Sequence, residues 1–223
     1  MILTNRLFTR NPASREAKSI YIFCEGADRE YRYFDYFREM DSRINIEIYK
    51  LNPHEDNSPQ GLYKIALYSI EKSDDNPNPK YAFQENDEVW IVLDTDRDKD
   101  NSRKSQIDSI RYSINNKKDW YLVESNPCFE VWLYFHYHST TGQFEGIEKC
   151  KNWKSYVDAS IKGGFDPRKH PIFIERATIN AEDNFKSDEN KNLNIGTTEV
   201  FKLSKSILTI VKTKIREVLK TLE

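Results

Sequence analysis

Val89-Trp90-Ile91-Val92-Leu93-Asp94-Thr95-Asp96 is the stretch that decides how this chain folds. An unbroken apolar run of this length fits a strand covered on both faces, and it stops abruptly on acid. In an open parallel sheet, ligands gather beyond the carboxyl ends of the strands. Residues two apart in extended chain point the same way, so Asp94 and Asp96 can converge on one ion.

The same grammar repeats on either side. Ser19-Ile20-Tyr21-Ile22-Phe23-Cys24 is a second apolar run, ending at Glu25-Gly26. A helix follows with Asp28 as its cap and Tyr31, Phe34 and Phe37 on its apolar face. Ile44, Ile46 and Ile48 alternate as in a half-buried strand, and Ser58-Pro59 opens the next helix. Downstream, Ser102 starts a helix carrying Ile107, Ile110 and Ile114, and Trp120-Tyr121-Leu122-Val123 reads as a fourth strand. Ser125-Asn126-Pro127 then leads into a helix from Cys128 to His136, with Glu130 in its first turn. Strand and helix thus alternate four times, which predicts an α/β fold with a mostly parallel sheet flanked by helices.

Beyond residue 138 the pattern becomes helical. Helices are expected around Phe144–Ile161 (closed by Gly163-Gly164), Ile174–Glu182 and Thr198–Leu222, with the polar Asp183–Asn194 as a mobile connection. The expected division is an α/β unit over 1–137 and a helical extension over 138–223 packed on the same core.

Composition bounds the function. The chain has 223 residues, 38% hydrophobic and 13% aromatic, enough for a sizeable and aromatic core. Its net charge of -2 predicts no general attraction to nucleic acid or acidic membranes, so such binding needs a local patch or a metal. Cys24, Cys128 and Cys150 lack a disulfide or zinc-finger spacing and read as reduced thiols. With no secretory pattern at Met1–Arg6 and no long apolar span, a cytoplasmic location is expected.

A hard divalent cation takes oxygen ligands, and Glu25, Asp94, Asp96 and Glu130 offer them at matching strand ends. Mg²⁺ or Mn²⁺ there would also offset the repulsion between an acidic site and a polyanion. Acidic residues after strands also serve as plain turn caps, and that reading stays open. Arg168, Lys169 and His170 form a basic segment, and Lys202, Lys205, Lys212, Lys214, Arg216 and Lys220 mark the last helix. Each set can meet phosphate or be a solvated face. His136 and His138 diverge on a helix and do not form a paired zinc site; His136 faces the core and His138 solvent. His54 belongs to a loop, Cys128 is structural, and Tyr31, Tyr33, Phe34, Tyr36 and Phe37 serve packing before base stacking.

Ile22-Phe23-Cys24-Glu25-Gly26 with Glu30-Tyr31 and Tyr33-Phe34, the Val89–Asp96 run, and Ser125-Asn126-Pro127-Cys128-Phe129-Glu130-Val131-Trp132-Leu133 together resemble the RloB-like family. Ile195-Gly196-Thr197-Thr198-Glu199-Val200 resembles its C-terminal Thr-x-Val element. The resemblance implies a Toprim-like domain over 1–137, akin to OLD-type nucleases, topoisomerases and primases. Glu25, Asp94 and Asp96 then take the catalytic, metal-binding positions, with Glu130 added from the family string. It further implies a nuclease of DNA or RNA (tRNA included), serving anti-phage abortive infection beside an ABC-type ATPase. The alternative is a non-catalytic sensor module that regulates that ATPase. A homodimer is compatible with either. One departure is Asp28-Arg29-Glu30, where the family often has Thr-Glu after Glu-Gly. The chain has no Gly-x-x-x-x-Gly-Lys-Ser/Thr of its own, so ATP chemistry would come from the partner.

Overall fold

A computed structural model describes residues 7–26, 28–95, 102–140, 144, 147 and 149–222. The expected α/β architecture is present: a five-stranded, mostly parallel sheet with helices on both faces. The strands are β1 (Lys18–Cys24), β2 (Ile44–Tyr49), β3 (Glu88–Asp94), β4 (Trp120–Asn126) and the short β5 (Thr197–Thr198). Their order is β2-β1-β3-β4-β5, and only β5 runs antiparallel. The helices are α1 (Arg29–Asp35), α2 (Pro59–Ile70), α3 (Ser102–Ile114), α4 (Glu130–Tyr134), α5 (Cys150–Ser160), α6 (Ile174–Asp183) and α7 (Val200–Lys220).

Each strand divides its side chains between two cores, as a period of two requires. Tyr21, Phe23, Val89, Ile91, Leu93 and Leu122 meet α2 and α3 on one face. Ile20, Ile22, Trp90, Val92 and Val123 face the other way, onto α1, α4 and the helices that follow residue 138. That second core draws on both halves of the chain, from Phe34 and Trp132 to Trp153, Ile207 and Ile215. Along α7 the helically spaced Val200, Leu203, Ile207, Val211, Ile215 and Val218 are buried, while Ile210, in the same spacing, is half-buried and Leu222, beyond the helix end, is exposed. No described helix is long and apolar enough to cross a membrane.

Several expectations need correction. The apolar face of α1 is Tyr33 and Phe34, continued by Phe37, whereas Tyr31 is half-buried. Asp28 gives no side-chain cap; its carboxylate accepts from Arg32 Nε at 2.7 Å, one helical turn away. The helix after Pro127 spans only Glu130–Tyr134. α5 begins at Cys150 rather than Phe144, because the Phe144 ring covers Gly196 instead of joining a helical stripe. Asp183–Asn194 is not shapeless: Ser187 bridges Leu193, and Asp188 Oδ1 accepts from the backbone N–H groups of Asn190 and Asn192 at 2.9 and 2.8 Å.

Gly196 has φ +78°, and a Cβ there would lie 2.2 Å from the Phe144 ring. Gly196→Ala combines left-handed strain with overlap, so chemical denaturation should show a loss of about 1–3 kcal/mol. Unchanged stability would contradict this packing.

Candidate metal centre

Across β2-β1-β3-β4, the order of strands switches direction between β1 and β3, the point where ligands of open parallel sheets gather. Glu25 immediately follows β1 and Asp94 ends β3, so the two carboxylates flank the switch point. Glu25 Oε2 accepts the backbone N–H of Asp94 at 3.0 Å. Arg103 of α3 completes the clamp, with Nη2 on Glu25 Oε1 and Nε donating to the Asp94 carbonyl at 2.8 Å. The Asp94 side chain reaches the segment after β4, where its Oδ1 accepts the Phe129 N–H at 2.9 Å. Three strand ends are thereby tied at one point.

Two more carboxylates close on it. Glu130, only 3% exposed, pairs through Oε1 with Arg29 Nη1 at 3.0 Å. Glu30 is 8% exposed, and its carboxyl fills the space that a Cβ on Gly26 would take, within 1.9 Å. Gly26 is therefore required by the side chain it accommodates. Burial pushes the Glu30 carboxyl up to about 7, with Glu130 and Glu25 adding to the rise and Lys154 opposing it. Asp94 is likewise raised well above the carboxylate range, first by burial and then by Glu25, Glu30, Glu130 and Cys150. It keeps some solvent exposure, but the surrounding negative charge acts in the same direction as desolvation. Four oxygen-donor side chains with incomplete counter-charge are the donor type a hard divalent cation takes, and they would have to draw closer to share one.

Glu25, Asp94 and Glu130 of the expected set lie at the same end of the sheet, joined by Glu30, and their charges add to the rise of the Glu30 and Asp94 pKa values. Among the described residues no three of these four carboxylates have donor atoms within 4.8 Å of one another. Asp96 lies outside the described residues. Glu30 carried a legible signal: it shares the buried face of α1 with Tyr33 and Phe34, an unusual place for a carboxylate. The basic candidates are elsewhere and engaged. Arg168 forms a two-point ion pair with Asp166, both contacts 2.9 Å, and lines a separate cleft with Arg32 and Tyr36. His170 Nδ1 accepts the Asp166 N–H at 3.0 Å, while Lys169 is exposed. Lys202 pairs with Glu199 at 2.6 Å, and Lys205 with Glu182.

His136 is fully buried as expected, held by Tyr33 Oη at 3.0 Å and the Trp132 carbonyl at 3.1 Å. Burial lowers its pKa to about 3, so it stays neutral. His138 is not in solvent: it stacks on Tyr134 at 4.2 Å between ring centroids. Tyr33, Phe34, Tyr36 and Phe37 are buried and belong to the core.

A cleft of about 620 Å³ opens beside the carboxylates, between α3 and the 188–193 turn. Thr95 and Asn126 lie at its strand-end floor, with Arg103, Lys104 and Arg111 on one side and Asn190, Lys191 and Asn192 on the other. Arg111 is committed to Glu124 and Glu199. Lys104 and Lys191 carry positive charge to opposite walls.

Fold and site together define an α/β protein with an acidic cluster at the switch point of its sheet. The model of a family described as RloB-like protein matches residues 20–207, and the chain belongs to that family. Neither the curated proteins nor the solved structures give a match.

Glu30 makes stability depend on pH. Its folded pKa lies above the ordinary glutamate value, so its contribution is full below about pH 4.5 and lost as pH rises through about 7. Without divalent ions, urea unfolding should show stability falling by up to ~3 kcal/mol between about pH 5 and pH 8. Glu30→Gln should flatten that slope; an identical slope in the variant would exclude the crowding.

Proposed function

We propose that this chain is a divalent-cation-dependent phosphodiester hydrolase acting on nucleic acid. The observation that carries the reading is the placement of Glu25 and Asp94 at the neighbouring β1 and β3 ends, with Glu30 and Glu130 near enough to add to the burial-driven rise of the Asp94 pKa. Glu25, Asp94 and Glu30 are the residues that would hold Mg²⁺ or Mn²⁺, with Glu130 beside them and Asp96 next along the chain. When bound, such an ion supplies Lewis-acid neutralisation of phosphate oxygens and acidifies water. Glu25 is fixed by Arg103 and by the Asp94 N–H, which suits a positioning role.

The neighbouring cleft gives a polynucleotide somewhere to lie. Lys104 and Lys191 are placed to meet phosphates, and Asn190 and Asn192 add hydrogen-bonding side chains along the same wall. Arg168, Lys202 and Lys205 are matched by acidic neighbours. The cleft also carries Asp108, Glu124 and Asp188, so Lys104 and Lys191 are the cations it leaves for phosphate. The Toprim relationship, the phage-defence setting and the ABC-type ATPase partner rest on the family resemblance.

A regulatory reading, in which the chain senses a ligand and gates that ATPase without cutting, is favoured by one feature. Arg103 and Arg29 already neutralise Glu25 and Glu130. The two readings separate by experiment. Labelled DNA and total tRNA incubated with Mg²⁺ or Mn²⁺ should be cut by the wild type, with and without the ATPase, and not by Asp94→Ala. An Asp94→Ala/Asp96→Ala protein that retains phage defence would overturn the hydrolase.

Lys104→Ala/Lys191→Ala should weaken nucleic-acid binding. It should also lower the slope of log affinity against log salt by about 1–2. Fluorescence anisotropy with Asp94→Ala as the parent checks this, and an unchanged slope would remove the cleft from the binding surface.

A further inference from the structure

Beside the carboxylates lies a second group of different chemistry. Cys128, Glu130 and Cys150 each offer one ligand atom, and these atoms all fall within 4.8 Å of one another. Cys128 is fully buried and Glu130 nearly so, while Cys150 is partly open to solvent. Glu130 divides its two oxygens: Oε1 meets Arg29 at 3.0 Å, and Oε2 accepts from Cys150 Sγ at 3.9 Å. The Cys128 thiol contacts Cys150 both at its carbonyl, 3.9 Å away, and at its sulfur. The two cysteines are nonetheless free thiols.

We infer that Cys128, Glu130 and Cys150 form a binding site for a thiophilic divalent cation of the zinc type, with a fourth position left to water or a ligand. Two sulfurs and an oxygen are a borderline-soft donor set, unlike the all-oxygen group formed by Glu25, Glu30 and Asp94. Zn–S bonds of about 2.3 Å place tetrahedral ligand atoms ~3.5–3.8 Å apart, so closure by about 1 Å suffices. Cys150 is the first residue of α5 and is partly open to solvent, so a metal ion has a route to its sulfur. Binding breaks two S–H bonds and forms two metal–sulfur bonds, and both protons pass to solvent. Two thiolates and one carboxylate around a dication leave one net negative charge. Arg29 and Lys154 are in place to offset it, since Lys154 feels Glu130, Cys150 and Cys128. The site does not depend on the hydrolase reading, because its test reads metal–sulfur bonds rather than cleavage.

The test is a Co²⁺ titration of the full chain, reduced and treated with chelator, with three free thiols verified beforehand. One equivalent should produce the near-ultraviolet band of sulfur-to-cobalt charge transfer together with visible bands of four-coordinate cobalt. One equivalent of Zn²⁺ should bleach them, and excess Mg²⁺ should not. Cys150→Ala, a change at a partly exposed position, should abolish the near-ultraviolet band and weaken Zn²⁺ binding by more than ~100-fold. Cys24→Ser should keep both. A reduced wild type with no sulfur band overturns the site, as does a band that survives in Cys150→Ala.

Discussion

Glu25 and Asp94 end neighbouring strands, and the carboxylate of the first accepts the backbone N–H of the second. On that one contact the functional end of the molecule depends. It fixes Asp94 at the switch point, gives Arg103 two acceptors from different strands, and leaves the Asp94 side chain directed at the Phe129 N–H. The segment after β4 is thereby anchored over β3, which delivers Glu130 to the same place. Both cores converge beneath it, since adjacent residues of β1 and β3 alternate between the two faces.

Such an arrangement is electrostatically uncomfortable. Removing four carboxyl groups from water next to one another favours the protonated forms, and Glu30 and Asp94 register this in their raised pKa values. The hydrophobic packing around α1, α4 and α7 holds the cluster together against that repulsion. Arg103 and Arg29 relieve part of it. A protein that keeps such tension at the carboxyl edge of a parallel sheet has a place where a cation would be stabilising, and that coupling links the fold to its proposed chemistry.

Much of this was legible from residue order alone. The apolar runs at 19–24 and 89–93 identified buried parallel strands, and their acidic ends placed Glu25 and Asp94 at neighbouring strand ends. The long helix expected over Thr198–Leu222 runs from Val200 to Lys220. What failed depended on contacts between distant residues. Phe144 leaves the helical pattern because Gly196, remote in sequence, offers its ring a flat seat. Glu30 was quoted only as part of a motif and a departure from it, although its place on the Tyr33–Phe34 face was a sign of burial. The lysines of α7 looked free because Glu182 and Glu175 lie on a different helix. The turn around Asp188 read as a polar, mobile connection, since hydrogen bonds to backbone leave no periodic trace.

The central claim is that the crowded carboxylates are a cation site. Calorimetric titration of Mn²⁺ into chelator-treated protein, wild type beside Asp94→Asn, addresses it most directly. The account requires saturable binding in the wild type, weakened at least ~10-fold in the variant. Equal affinity in the two proteins, or no binding in the wild type, would contradict it.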